Sequence, residues 1–134
     1  MIYTLEIQTE KHTDFIDITL DINKLINKEN IKEGICFIYT PHTTAGIFIN
    51  ENSDPDVRND IEYVLEKIFP WRDPNYRHIE GNSSAHLKSI LIGNQKFVFI
   101  EDSKLKLGTW ESIFFAEFDG PRKRRIYVKI INHK

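Results

Sequence analysis

Apolar residues fall into two rhythms along this chain: a two-residue alternation over most of its length and one helical stripe near the middle. "IYTLEIQT" and "DFIDITL" alternate apolar and polar positions over short runs, the pattern of antiparallel strands. "DINKLINKEN" then predicts a short helix. "GICFIYT" is a nearly continuous apolar run, as a buried strand requires, and "AGIFINE" reads as its neighbour across a bend at "PHTT". In "SDPDVRNDIEYVLEKIF", Val57, Ile61, Val64, Leu65 and Ile68 recur at steps of three and four, which makes one apolar stripe and predicts a helix. Asp54 before Pro55 marks its start, because a carboxylate caps free amides and proline suits the first turn; Pro70 marks its end.

A long polar stretch follows, "WRDPNYRHIEGNSS". A shorter helix is expected over "AHLKSILIG", capped by Ser83 or Ser84 and closed near Gly93. The last third reads as strands: "KFVFIE", "LKLG", "ESIFFAEF" and "RRIYVKII". Both faces of "ESIFFAEF" are largely apolar, which places it at the centre of a sheet. These elements make an α+β domain whose sheet leaves apolar area to bury against another copy.

Length changes this picture little, since 134 residues suit a single domain over 1–134. A chain 40% hydrophobic and 28% charged is that of a soluble globular protein. No apolar run approaches the roughly 20 residues that cross a bilayer, so no membrane partner is expected. The start, "MIYTLEIQTEKH", has no basic segment leading into an apolar one, and a cytoplasmic location is expected. Cys36, the one cysteine, sits in an apolar run and reads as a small buried hydrophobe. A formal charge of -2 exerts no general pull on nucleic acid. The basic run "RKRR" at 122–125 leads into a strand, where alternation splits its charges between two faces, so it reads as a solvated strand start.

Candidate chemistry concentrates in "TPHTTAG", "NENSDPD", "YRHIEGNSSAH" and "LGTWES…EFDGPR". His42, His78 and His86 are the three histidines away from the termini. Three neutral imidazoles suit a zinc-like ion with a fourth position open. Equally, one could move a proton while another holds a phosphate. His78 and His86 are eight residues apart with Gly81 between them, so only the fold could bring them together. Asn50, Glu51, Asn52, Asp54 and Asp56 offer oxygen ligands for magnesium, although helix capping by Asp54 explains the same positions more simply. Arg77 and Lys88 could grip a phosphate, and Trp110 could stack on a flat ring.

In "HTTAGIFINENSDPDV", "YRHIEGNSSAHLK", "LGTWES" and "EFDGPR", in that order, the chain resembles the YjbQ family, also called the secondary thiamine-phosphate synthase enzyme family. The resemblance runs from about Gly34 onward. It departs at Ser84, where an acidic residue is expected, and at Glu111 and Ser112, where glutamine and glycine are common. It implies a compact α+β fold with a mixed or antiparallel curved sheet, two to three helices and a homotrimer. It also implies a transferase that joins hydroxymethylpyrimidine diphosphate to thiazole phosphate, as a weak side activity. Matching by motif carries catalytic roles to His42, His78, His86, Glu51 and Asp54, with the three histidines as metal ligands for a divalent ion, zinc-like or magnesium. Substrate-binding roles pass in the same way to Thr43, Asn50, Arg77, Glu80, Asn82, Trp110 and Arg122, joined by Lys88. The partner implied is a small phosphorylated metabolite. Two rivals stand beside this: a metal-assisted hydrolase or lyase on such a compound, and a non-catalytic phosphometabolite-binding trimer.

Overall fold

The computed structural model describes residues 1–133. Eleven elements follow in chain order: β1 (Tyr3–Gln8), β2 (Asp14–Asp17), α1 (Thr19–Lys28), β3 (Gly34–Tyr39), β4 (Ala45–Glu51), α2 (Pro55–Ile68), α3 (Ser83–Ile92), β5 (Gln95–Glu101), β6 (Lys104–Leu105), β7 (Glu111–Glu117) and β8 (Lys123–Asn132). They form an α+β domain with three helices and a curled antiparallel arrangement. One sheet runs β1-β8-β3-β5-β6 and the other β2-β7-β4. Between mixed and antiparallel pairing, every described ladder is antiparallel.

One expectation about neighbours is corrected. β3 and β4 do not pair across the "PHTT" bend: β3 lies between β8 and β5, whereas β4 pairs with β7. β1 and β2 likewise go to different sheets, pairing with β8 and β7. The physical reason is that periodicity reports which face of a strand is buried and says nothing about which edge finds it. The strand expected at the centre, β7, does lie between β2 and β4.

Its two faces explain why both are apolar. Ile113 and Phe115 join Ile22 and Ile26 of α1 and the inward residues of the large sheet in the main core. Phe114, Ala116 and Phe118 face the other way, against Leu65 of α2 and Ala85 of α3. Cys36 is fully buried in the main core, and burial pushes its thiol up to about 12, so the bland reading of this residue holds.

α2 starts as expected, with the Asp54 carboxylate accepting the Asp56 amide at 2.9 Å. The start of α3 is a correction: Ser83 and Ser84 lie inside the helix, and Asn82 holds the cap position without a side-chain cap bond. Both serines have other work or none at that end; the Ser84 hydroxyl donates to the Phe69 carbonyl. No helix among the described residues is long and apolar enough to cross a membrane.

Candidate functional site

His42 sits in the bend that leaves β3 and enters β4, where β8 grips it at three places. The Arg125 amide donates to His42 Nε2 at 3.0 Å, the Thr40 hydroxyl donates to the Arg125 carbonyl at 3.3 Å, and Arg124 Nη2 donates to Thr44 Oγ1 at 2.7 Å. An imidazole nitrogen that accepts an N–H carries no proton, so the neutral ring bears its proton on Nδ1, a tautomer assigned from this bond. Burial, reinforced by the guanidinium groups of Arg124 and Arg125, holds the His42 pKa below the ordinary histidine value.

Beneath this bend lies a buried charge network. The Glu117 carboxylate is fully buried and accepts Arg124 Nε at 2.8 Å, the Thr9 hydroxyl at 2.8 Å and the Asp119 amide at 3.0 Å. Arg124 Nη2 also donates to Glu117 Oε2. Gly120 is needed here because a Cβ on it would stand 2.4 Å from the Lys11 carbonyl oxygen and 2.8 Å from Glu117 Cγ. The "RKRR" run is therefore not wholly solvated. Arg124 is 4% exposed because its register turns it inward beside Ile126 and Val128, opposite a carboxylate that neutralises it.

Asp119 carries the network onward. Its Oδ2 accepts Asn82 Nδ2 at 2.8 Å and Arg122 Nη2 at 3.1 Å. Asn82 in turn accepts the His86 amide on its carbonyl, at 3.3 Å, where α3 begins. His86 presents its ring edge-on to His78, with centroids 5.5 Å apart. Gly81, at φ +72°, makes the turn that folds His78 back; its amide donates to the His78 carbonyl at 3.1 Å. Glu80 is exposed and lies 3.8 Å from His78 Nε2, an ion-pair distance only if the imidazole is protonated.

Two shallow clefts meet at His86. One, about 480 Å³, is lined by Tyr39, His42, Thr43, His86 and Ser89 among others. The second, about 550 Å³, is lined by Tyr76, Arg77, His78, Ser83, His86 and Leu87 among others. A larger groove of about 710 Å³ lies between α2 and residues 11–13 and contains none of the candidate residues. The convergence of motifs, rather than size, marks the site.

The remaining candidates are placed elsewhere. Asn50 and Glu51 lie at the far end of β4, Glu51 six residues beyond Ala45 and so roughly 20 Å along the strand from the His42 bend, and Asp54 caps α2 just past that end. Trp110 is at that far end too, 61% exposed, its carbonyl accepting the Asn52 amide at 2.9 Å. Lys88 is corrected as a phosphate grip: it is 4% exposed and donates to Glu66 at 2.7 Å, tying α3 to α2. The three histidines are not gathered as a metal set within one chain. Among the described residues, no group of three or more His, Cys, Asp or Glu side chains could hold a metal ion, and His42 Nε2 already serves the Arg125 amide. The donors present within one chain do not fit that ion.

Sequence reading passed over Thr9, Thr44 and Arg124 and gave Glu117 no role. A signal was present: Glu117 continues the inward series Ile113, Phe115, and Arg124 begins the inward series Ile126, Val128. Opposite charges at inward positions of consecutive strands mark a buried pair.

A small α+β domain with a histidine-lined surface cleft is the class that fold and geometry define. The family model described as "UPF0047 protein YjbQ-like" matches residues 3–133, and the chain belongs to this family. A UPF0047 protein of Methanocaldococcus jannaschii is 51% identical over 134 residues, 100% of this chain and 96% of that protein. The UPF0047 protein YugU of Bacillus subtilis is 46% identical, over 98% of this chain and 99% of its own length. Among solved structures, a YjbQ/UPF0047 family protein of Clostridium acetobutylicum superposes with a TM-score of 0.93 at 48% identity, covering 96% of this chain and 99% of that one. A YbjQ-like protein of Sulfolobus solfataricus, described as of unknown function, gives a TM-score of 0.93 at 31% identity over 99% and 97% of the two chains. The activity of the family is not established.

Proposed function

We propose that the paired clefts around His86 bind a small phosphorylated metabolite, and that the protein joins hydroxymethylpyrimidine diphosphate to thiazole phosphate as a weak activity. One observation carries the anion-binding reading: His78 and His86 meet edge to face beside Arg77, at the start of a helix whose entry is tied to Arg122 through Asp119. Guanidinium forks and imidazole N–H groups recognise phosphate oxygens, and the helix entry adds a favourable dipole.

In the joining reaction the thiazole nitrogen attacks the pyrimidine methylene carbon as the C–O bond to diphosphate breaks. The electron pair leaves with diphosphate, so the protein must place the reactants and neutralise the departing charge. Arg77, Arg122, His78 and His86 serve the anion, and His42 and Thr43 line the adjoining cleft for the second reactant. No protein nucleophile is required. Trp110 and the carboxylates of Glu51 and Asp54 take no part within one chain, because β4 separates them from the histidines. Magnesium, held by the diphosphate's own oxygens, is compatible with this reading, whereas a three-histidine zinc site is not.

A homotrimer is part of the proposal. Phe37, Phe97 and Phe99 stand exposed together on the outer face of the large sheet, and Ile79, Ile90 and Leu91 are exposed beside the clefts. Apolar area of this kind favours burial against another copy.

A non-catalytic binder is the second reading, favoured because among the described residues no carboxylate hydrogen-bonds to either imidazole of the pair; Glu80 stands off at 3.8 Å. Two measurements separate these. Calorimetric titration with inorganic pyrophosphate tests the anion site. Turnover of the two named substrates, with and without magnesium, tests the reaction. Saturable pyrophosphate binding without product leaves the binder, and failure to bind pyrophosphate at all removes both readings. Sedimentation equilibrium checks the trimer.

A further inference from the structure

The Glu117–Arg124 pair lies under the site and has no part in the reaction proposed above. Its connections are directional. Arg124 spends one edge of its guanidinium on Glu117 and turns Nη2 to Thr44 as well, reaching Oγ1 at 2.7 Å and the carbonyl at 3.4 Å. Thr44 is two residues from His42, and the amide that holds the His42 ring belongs to Arg125, the residue next to Arg124. The same carboxylate accepts the Asp119 amide at 3.0 Å, and Asp119 holds Asn82 at the entry of α3, four residues before His86. One buried carboxylate thus reaches both histidine-bearing walls: through Arg124 to the bend with His42, and through Asp119 to the helix with His86.

Buried pairs of this kind need justification beyond stability, because two well-packed apolar side chains of similar volume serve stability as well or better. What apolar substitutes cannot do is hold a threonine hydroxyl and a loop amide in fixed directions. We propose that Glu117 and Arg124 are positioning residues: they fix the 40–44 bend against β8, so that His42 is locked in one tautomer with Nε2 on the Arg125 amide and Nδ1–H left as a hydrogen-bond donor at the cleft. Nδ1 makes no hydrogen bond among the described residues, so the donor is free for a ligand acceptor. Lysine in place of Arg124 would not serve equally, since a point charge cannot reach carboxylate and hydroxyl in two fixed directions.

The inference rests on the reading that His42 faces ligand, but its test does not. Long-range nitrogen–proton correlation spectra of the free protein, with ring nitrogens labelled, report the tautomer of each histidine directly. Wild type is expected to show His42 as a single Nδ1–H tautomer. The double variant Glu117→Leu with Arg124→Met removes both charges and keeps volume; it is expected to fold and to show His42 averaging between tautomers. Thr44→Val keeps the ion pair and removes only the hydroxyl link, and a partial loss of the same signature is expected there, so the test survives if the double variant does not fold. A single Nδ1–H tautomer persisting in the folded double variant and in Thr44→Val would overturn the proposal, as would an averaged or Nε2–H ring in wild type. Pyrophosphate titration of wild type, run alongside, reports on the anion site separately: no binding with the His42 signature intact would remove the ligand reading and leave the positioning role standing.

Discussion

The two ends of the β4–β7 ribbon hold the same kinds of residue and use them differently. At the histidine end, polar groups beside β1, β4, β7, β8 and the start of α3 meet, and hydrogen bonds between distant segments hold them: Thr9 to Glu117, Arg124 to Thr44, Asn82 to Asp119. At the carboxylate end the bonds are mostly short-range. Asp54 caps its own helix, Asn50 accepts the next amide at 2.8 Å, and Arg58 reaches Asn52 at 2.9 Å. Polar density by itself therefore does not mark a site. What distinguishes the first end is long-range convergence, with burial that raises the strength of each interaction.

Substitutions should expose that contrast, the largest effect first. Glu117→Ala leaves the Arg124 guanidinium buried without its partner, and a loss of about 3–5 kcal/mol in urea denaturation is expected. A loss below about 1 kcal/mol would mean that the network does not hold the histidine end together. His78→Ala removes one donor from the anion cleft at a surface loop, so pyrophosphate affinity should fall roughly tenfold or more while the melting temperature stays nearly constant. A large melting shift with unchanged affinity would make His78 structural. Asp54→Ala at the other end is expected to cost about 1 kcal/mol through the lost cap and to leave pyrophosphate affinity unchanged. If affinity falls instead, the carboxylate end does reach the ligand, and a neighbouring copy is the route.

The smallest effect is on pH. Unfolded His42 takes up a proton as pH falls through about 6.5, while the folded ring, its pKa held down by burial and by Arg124 and Arg125, stays neutral to lower pH. The unfolded state then binds more protons, so stability present above that pH is lost as pH falls towards the folded value. His42→Gln should flatten this part of the stability–pH curve, which denaturant midpoints between pH 7 and 5 would show.

Much of the fold was legible because its signals are local. The stripe from Val57 to Ile68 and the Asp54–Pro55 start placed α2, and the doubly apolar run at 111–118 placed β7 between two neighbours. Strand partners were not legible, since β3 and β4 are adjacent in sequence yet belong to different sheets. Of the site, the pairing of His78 with His86 follows from a turn that Gly81 permits, within one motif. Lys88 misled because a lysine reads as solvated whatever its fate, and here Glu66 draws it into the interface between two helices. Trp110 shows that a motif shared along the chain carries no distances: within one chain a strand length separates it from the histidines.

The inward arginine also bears on how β8 finds its place. This strand offers three consecutive cations, Lys123 to Arg125, and its ladder with β1 could in principle shift by a residue. A shift of one would turn Arg124 out to water, strand the Glu117 charge in hydrocarbon and expose Ile126 and Val128 at once. Mispaired chains are thus penalised twice, by charge and by oil, and the alignment that survives is the one that also sets the ceiling over His42.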